Sequence, residues 1–322
     1  MRRKSGEEQA KRNDDPPHLA TSKVHRDMTE LNGELWRDLY YASFDDLRLH
    51  VRHYPVADAK ARSVVCLPGL TRNGRDFHYL ASYLSHHPQR PRSVYCVDYR
   101  GRGGSQYDRH WQNYTPFVEL IDVLDFMTLH DLHKAAIIGT SRGGIIAMMM
   151  AAIRPTAMGV AVLNDIGPVM ETTGLARIMG YLGRTKVPRN WDDAALLLRE
   201  MNERAFPAIE SWQWEEMARA VFNEKNGRPA QSYDRRLARA FGTLNLRRPI
   251  PDLWAQFMAL SQFPAFVLRG ANSDLLSPET VEAMVERHSN LRTLTVPGQG
   301  HAPVLNEPET VDAIGAFLAA ND

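Results

Sequence analysis

A mostly parallel α/β sheet of eight strands, flanked by helices and interrupted by a helical lid after the sixth strand, is the fold class the sequence predicts. Two observations carry it. Short apolar runs alternate with helix-length segments from Trp36 onward, and this rhythm stops between about Val169 and Gln262 before resuming for two more strands.

Trp36 to Ser43 and Leu47 to Tyr54, separated by Asp45-Asp46, have the pattern of an opening hairpin. Strand-like runs follow at Ser63–Leu67, Ser93–Asp98, Ala135–Ile138 and Val160–Asp165, with helix-length segments between most of them, as parallel pairing requires. The next stretch is helical and amphipathic, as in the run from Asp192 to Met201 and in Ser211 to Phe222, and Pro188, Pro207, Pro229 and Pro249 cut it into short pieces. Ala265–Leu268 and Leu291–Val296 restore the strand pattern. The expected organisation is one core domain in two parts, residues 31–168 and 263–322, with the lid at residues 169–262. Residues 1–30 are dominated by charge and include Pro16-Pro17, a composition that recovers little ordering entropy by burial, so a disordered arm is expected there.

Composition narrows the function. Lys plus Arg number 39 against 38 Asp plus Glu, so the net charge of +1 gives no reason to expect nucleic acid or an anionic membrane as partner. A small-molecule substrate is the better expectation. The basic start of the chain is followed by acidic and polar residues where a signal peptide needs an apolar stretch, and the longest strongly apolar run, Ile145 to Ile153, is too short to span a bilayer. A cytoplasmic protein without a membrane span is therefore expected. Cys66 and Cys96 sit in apolar strand-like runs and are read as packing residues; no Cys/His cluster has zinc-like spacing, so neither metal nor other cofactor is expected.

Chemistry concentrates where the strand Ala135–Ile138 runs into Gly139-Thr140-Ser141-Arg142-Gly143-Gly144 and then into a helix-like run. G-x-S-x-G in a strand–turn–helix setting presents a serine hydroxyl at a helix N-terminus, a nucleophile's position. Serine needs a base, and His301 is the candidate, in the Gly-rich loop after the last strand. His86, His87, His130, His133 and His288 lie in polar segments and are read as solvated. Asp274, just beyond the strand Ala265–Leu268 in an Asn-Ser-Asp turn, is preferred as the acid that orients the base; Asp165, ending the preceding strand, is the rival. Two backbone N–H donors are needed for an oxyanion, and those of Arg142, directly after the nucleophile, and Leu70, in the loop Pro68-Gly69-Leu70-Thr71, are expected to bind that part of the substrate; the glycine before Leu70 is expected to permit a tight approach.

With these residues in place the sequence resembles the α/β-hydrolase superfamily from about Trp36 to the end. The Asp-x-Arg-Gly-x-Gly-x-Ser loop of that family appears as Asp98 to Ser105, its final His-x-Pro as His301-Ala302-Pro303, and its usual His-Gly after the third strand as Pro68-Gly69. The resemblance is to capped serine esterases. It implies cleavage of a carboxylic ester, or a related acyl bond, of a small and largely apolar substrate through an acyl-enzyme. Thioesters, lactones, acyl transfer, carbon–carbon bond hydrolysis or a slow-turnover ligand receptor are the alternatives, and the absence of a Gly-Pro-Gly oxyanion pattern ranks the carbon–carbon chemistry lower. Trp191, Trp212, Trp214 and Trp254 suggest an apolar roof over the cleft, although aromatics at helical spacing also pack helices onto one another.

Overall fold

The computed structural model describes residues 35–322, so the arm expected over residues 1–30 lies outside the described residues. Strands β1 (Arg37–Ala42) and β2 (Arg48–Tyr54) form the opening hairpin, β3 (Val64–Leu67) leads to helix α1 (His78–Ser85), and β4 (Val94–Asp98) to α2 (Pro116–Leu129). Strand β5 (Ala135–Thr140) runs into α3 (Arg142–Ile153), and β6 (Met158–Asn164) into an insertion made of α4 (Thr172–Tyr181), α5 (Trp191–Asn202), α6 (Ser211–Val221), the hairpin β7 (Asn223–Lys225) and β8 (Arg228–Ala230), α7 (Leu237–Phe241) and α8 (Trp254–Ala259). Strand β9 (Ala265–Gly270), α9 (Pro278–Arg287), β10 (Leu291–Val296) and α10 (Pro308–Ala320) complete the chain. The eight-stranded sheet has the order β1-β2-β4-β3-β5-β6-β9-β10, antiparallel only where β2 meets β1 and β4.

Alternation along the central strands explains why these apolar runs become strands covered on both sides. Val65, Leu67, Ile137, Ala161, Leu163 and Val267 join one core with α2 and α3, whereas Val64, Cys66, Ile138, Val162, Phe266 and Leu268 join a second core with α1 and α10. Cys66 and Cys96 are neighbours in register on β3 and β4, both free and buried in that second core. Among the described residues no helix is long and apolar enough to cross a membrane.

The insertion is not wholly helical. The hairpin of β7 and β8 turns on Asn226-Gly227, with φ values of 53° and 74°, and Pro229, expected to break a helix, lies in its second strand. Asn-Gly is a strong hairpin signal because both positions accept positive φ. The insertion also has its own core, in which Trp214 packs with Leu198, Phe206 and Phe222 and with the partly buried Trp191. These two tryptophans consolidate the insertion, as aromatics at helical spacing commonly do.

The loop after β4 anchors the sheet end that will carry the site. Asp98 accepts from the amides of Gly74 (2.6 Å) and Gly104 (2.8 Å) and pairs with His50 Nδ1 at 2.7 Å. Gly103, at φ 55°, is required there, since a Cβ would lie 2.0 Å from the Asp98 carboxylate. Arg100, fully buried, donates to Asp122, Asp108 and Asp45 at 2.6–3.1 Å. Removing one partner of a buried ionic cluster strands the other charges in a poor solvent, at a cost of about 3–5 kcal/mol. Arg100→Met is therefore expected to lower the unfolding free energy by that amount, read as a fall in the urea midpoint at constant m; an unchanged midpoint would show that the carboxylates find water instead.

Candidate active site

Strand β5 ends at Thr140 and α3 starts at Arg142, so the chain must reverse its course at Ser141 alone, which takes φ 51° and ψ −110°. Such a backbone costs a non-glycine residue on the order of 1–3 kcal/mol and persists only when its surroundings impose it. They do so here by contact. A Cβ at Gly143 would lie 2.0 Å from the Leu67 carbonyl oxygen, and one at Gly139 would lie 2.4 Å from the Gly143 carbonyl carbon. The two glycines let α3 press onto β3 and onto the end of its own strand. The Ser141 amide donates to Asn164 O at 3.0 Å, which ties the turn to β6.

Ser141 and His301 are brought together as the sequence suggested, with Ser141 Oγ 2.9 Å from His301 Nε2. The carboxylate beside the base is not the expected one. His301 Nδ1 lies 2.8 Å from Asp165 Oδ2, not from Asp274. A carboxylate can only accept, so Nδ1 carries the proton and Nε2 is left to accept from the serine hydroxyl. Asp165 is fully buried at the end of β6, at φ 55°, and its carboxylate also accepts from the Gly270 amide (2.7 Å) and the Ser273 hydroxyl (2.5 Å). Asp274 does follow β9, as expected, but Arg177 of α4 holds it in a bidentate pair at 2.6 and 2.8 Å. Burial alone would raise the Asp274 carboxyl; the Arg177 bonds and charge, with a further contribution from His301, hold it below its ordinary value. No pattern local to Asp274 announces Arg177, which lies almost a hundred residues earlier in the chain. The loop expected to supply the acid supplies Ser273 instead, a donor to the carboxylate beside His301.

The amides of Leu70 and Arg142 have no backbone acceptor among the described residues. For Arg142 this follows from its place in the first turn of α3, whose N–H groups lack an intrahelical partner. Neither amide is therefore committed to a backbone acceptor. The Arg142 side chain is engaged elsewhere, since its guanidinium donates to Glu119 and to the Tyr114 carbonyl. The reason expected for Gly69 is not supported, because a Cβ there would meet only the Arg72 side chain, at 3.4 Å.

The insertion reaches the site at several points, among them Ala205, whose Cβ would lie 2.6 Å from a Cβ on Gly300, the residue before His301. Leu70 packs against Leu182, Tyr233 and Leu237, and α4 carries Arg177 to Asp274. Trp254, like Leu70, packs against the first core, and Trp212 is exposed. His288, read as solvated, is buried, with Nε2 3.0 Å from Leu260 O. Among the described residues no group of three or more His, Cys, Asp or Glu could hold a metal ion.

Known proteins share this architecture. Residues 64–314 match the model of the alpha/beta hydrolase family. The chain is 31% identical over 272 residues to a 3-hydroxybutyrate-oligomer hydrolase of Cupriavidus necator, covering 81% of this chain and 89% of that one. It is similar to the crystal structure of an alpha/beta hydrolase from Novosphingobium aromaticivorans, with 38% identity, a TM-score of 0.81 and coverage of 88% of this chain and 98% of the other. E-2-(acetamidomethylene)succinate hydrolase shares the fold at a TM-score of 0.73, with 20% identity and coverage of 88% and 99%.

Amidation of the orienting carboxylate in a Ser-His-Asp triad leaves the histidine in the wrong tautomer and lowers turnover about 10⁴-fold. Asp165→Asn is expected to approach that loss in steady-state ester hydrolysis, whereas Asp274→Asn, which only releases Arg177, should cost less than about tenfold. Circular dichroism establishes that both variants are folded. The opposite ranking would return the acid to Asp274.

Proposed function

The chain belongs to the alpha/beta hydrolase family, and from that membership we propose that it is a serine esterase working through an acyl-enzyme. The observation that carries the proposal is the continuous relay from Ser141 Oγ through His301 to Asp165, at 2.9 and 2.8 Å. In this reading Ser141 Oγ attacks the ester carbonyl carbon while His301 Nε2 takes the hydroxyl proton. The carbonyl oxygen becomes an oxyanion that accepts from the N–H groups of Leu70 and Arg142. Collapse breaks the bond to the alcohol oxygen, and His301 returns the proton to it. A water, deprotonated by His301, then attacks the acyl carbon, and the carboxylic acid leaves as Ser141 recovers its proton. Asp165 remains ionised throughout and offsets the imidazolium charge.

For the substrate class we propose short oligoesters of hydroxy acids. The 31% identical relative is named for hydrolysis of 3-hydroxybutyrate oligomers, and its match covers most of both chains. A chain of that kind is small, has aliphatic repeats, and offers an ester carbonyl between an acid and a secondary alcohol. Leu70, one of the candidate oxyanion donors, is itself a partly buried apolar side chain packed against the apolar cluster of Tyr114, Leu182, Tyr233 and Leu237.

A fluorophosphonate is expected to add once to the protein, at Ser141, and Ser141→Ala to remove the adduct by intact-mass analysis. An active protein that resists labelling would displace the nucleophile. A panel of p-nitrophenyl esters of graded acyl length, assayed beside the dimer and trimer of 3-hydroxybutyrate, should give many turnovers on short acyl groups and release monomer from the oligomers. A single burst of acyl-enzyme without further turnover would instead indicate a receptor on the hydrolase scaffold.

A further inference from the structure

We propose that Glu119, acting through Arg102 and Arg142, is a positioning residue that fixes the spacing of the two oxyanion donors. This rests on the esterase reading. Glu119 lies on α2 and is fully buried. One of its oxygens is 2.8 Å from Arg102 Nη1 and the other 2.8 Å from Arg142 Nε. Arg102 in turn donates from Nε to the carbonyl oxygen of Leu70, at 2.9 Å, and from Nη1 to that of Arg100, at 2.7 Å. Arg142 Nη2 donates to the Tyr114 carbonyl at 3.1 Å. A single carboxylate is thus joined to Leu70 through one guanidinium and to Arg142 through another, and these are the residues whose N–H groups have no backbone acceptor.

Stability does not account for this arrangement well. A buried ion group repays its desolvation poorly, and apolar residues of similar volume often serve as well or better. The Arg100 cluster on the same helix shows the contrast, for it joins loop residues to α2 without touching Ser141, His301, Leu70 or Arg142. Oxyanion donors, by comparison, act only when they lie about 2.7–3.1 Å from the forming oxyanion, so their relative placement must be stiff. Leu70 sits in a turn with no strand or helix to hold it, and the Arg102 bond is a side-chain anchor on that residue. The cluster also has two guanidiniums on one carboxylate, and Arg102 Nη2 is buried with no partner. One positive charge is therefore uncompensated within it.

The test compares turnover of a p-nitrophenyl ester with the affinity of two inhibitors: a trifluoromethyl ketone, which forms an oxyanion on Ser141, and the product carboxylic acid, which does not. Glu119→Gln is expected to lower kcat about 10- to 100-fold with KM within about threefold, and to weaken the ketone by the same factor while product inhibition is unchanged. Arg142→Met should show the same signature more weakly, with part of the loss recovered in Arg142→Lys. It keeps the Arg102–Glu119 pair, so it decides the question by the same readouts should Glu119→Gln fail to fold. A folded variant with wild-type kcat, or one that loses ketone and product affinity alike, would overturn the proposal. Fluorophosphonate labelling of the wild type separates the two readings: an unlabelled Ser141 removes the esterase reading and the brace together, whereas a labelled wild type with unaffected variants removes the brace alone.

Discussion

The strained backbone of Ser141 depends on how closely α3 can approach β3, and the rest of the site depends on Ser141. With φ at 51° and ψ at −110°, the residue leaves β5 and enters α3 without an intervening loop. Only a hydrogen at Gly143 Cα allows it, because the Leu67 carbonyl oxygen occupies the place of a Cβ. The same turn aims the next amide, that of Arg142, outward from the first turn of the helix and leaves it without a backbone acceptor. The Ser141 hydroxyl at the turn and the Arg142 amide without a backbone acceptor, the candidate nucleophile and candidate oxyanion donor, are therefore consequences of a single close contact between a helix and a strand.

That contact fixes one donor; the other belongs to a turn and has to be held from both flanks. On the Gly74 side, Asp98 accepts the Gly74 amide and is itself paired with His50. On the Leu70 side the anchor is Arg102. Asp98 ends β4 and Arg102 lies in the loop that follows it, whose glycines at 101 and 103 adopt φ values of 73° and 55° that let it fold back on the sheet edge. The Asp-x-Arg-Gly-x-Gly-x-Ser pattern is thus structural in its Asp, Arg and Gly positions. It also brackets Arg102, a variable position of that pattern, beside the site.

The parts of this arrangement that are local in sequence were legible from it, and those that depend on distant partners were not. The elbow could be read because its glycines and serine are contiguous, and the two cores because strand alternation is periodic. His301 could be read because it follows the last strand in a turn-forming segment. Which aspartate meets His301 could not be read, since Asp165 and Asp274 both follow parallel strands whose ends meet at the site, and what separates them is Arg177 from another element. His288 misled for the same reason: the face of α9 looks charged, yet the residue beyond its end turns inward to Leu260. The hairpin at Asn226-Gly227 did carry a local signal, which the helical pattern around it obscured.

Asp274 has a part to play even without touching His301. A pair as exposed as Arg177 and Asp274, with side chains 38% and 30% accessible, contributes about 0–1 kcal/mol, too little to explain the docking of α4. Backbone contacts do more of that. The Gly174 amide donates to Asp274 O at 3.0 Å and the Glu171 amide to Leu275 O at 2.9 Å, while a Cβ at Gly174 would lie 2.7 Å from the Asp274 carbonyl oxygen. The first turn of the insertion is consequently built onto the loop that presents Ser273 to Asp165. At the opposite side, Asn73 and Arg75 donate to the carbonyl of Ala220 at the end of α6, next to the turn that carries Leu70. The insertion is thus fastened both to the loop that presents Ser273 to Asp165 and to the turn that carries Leu70.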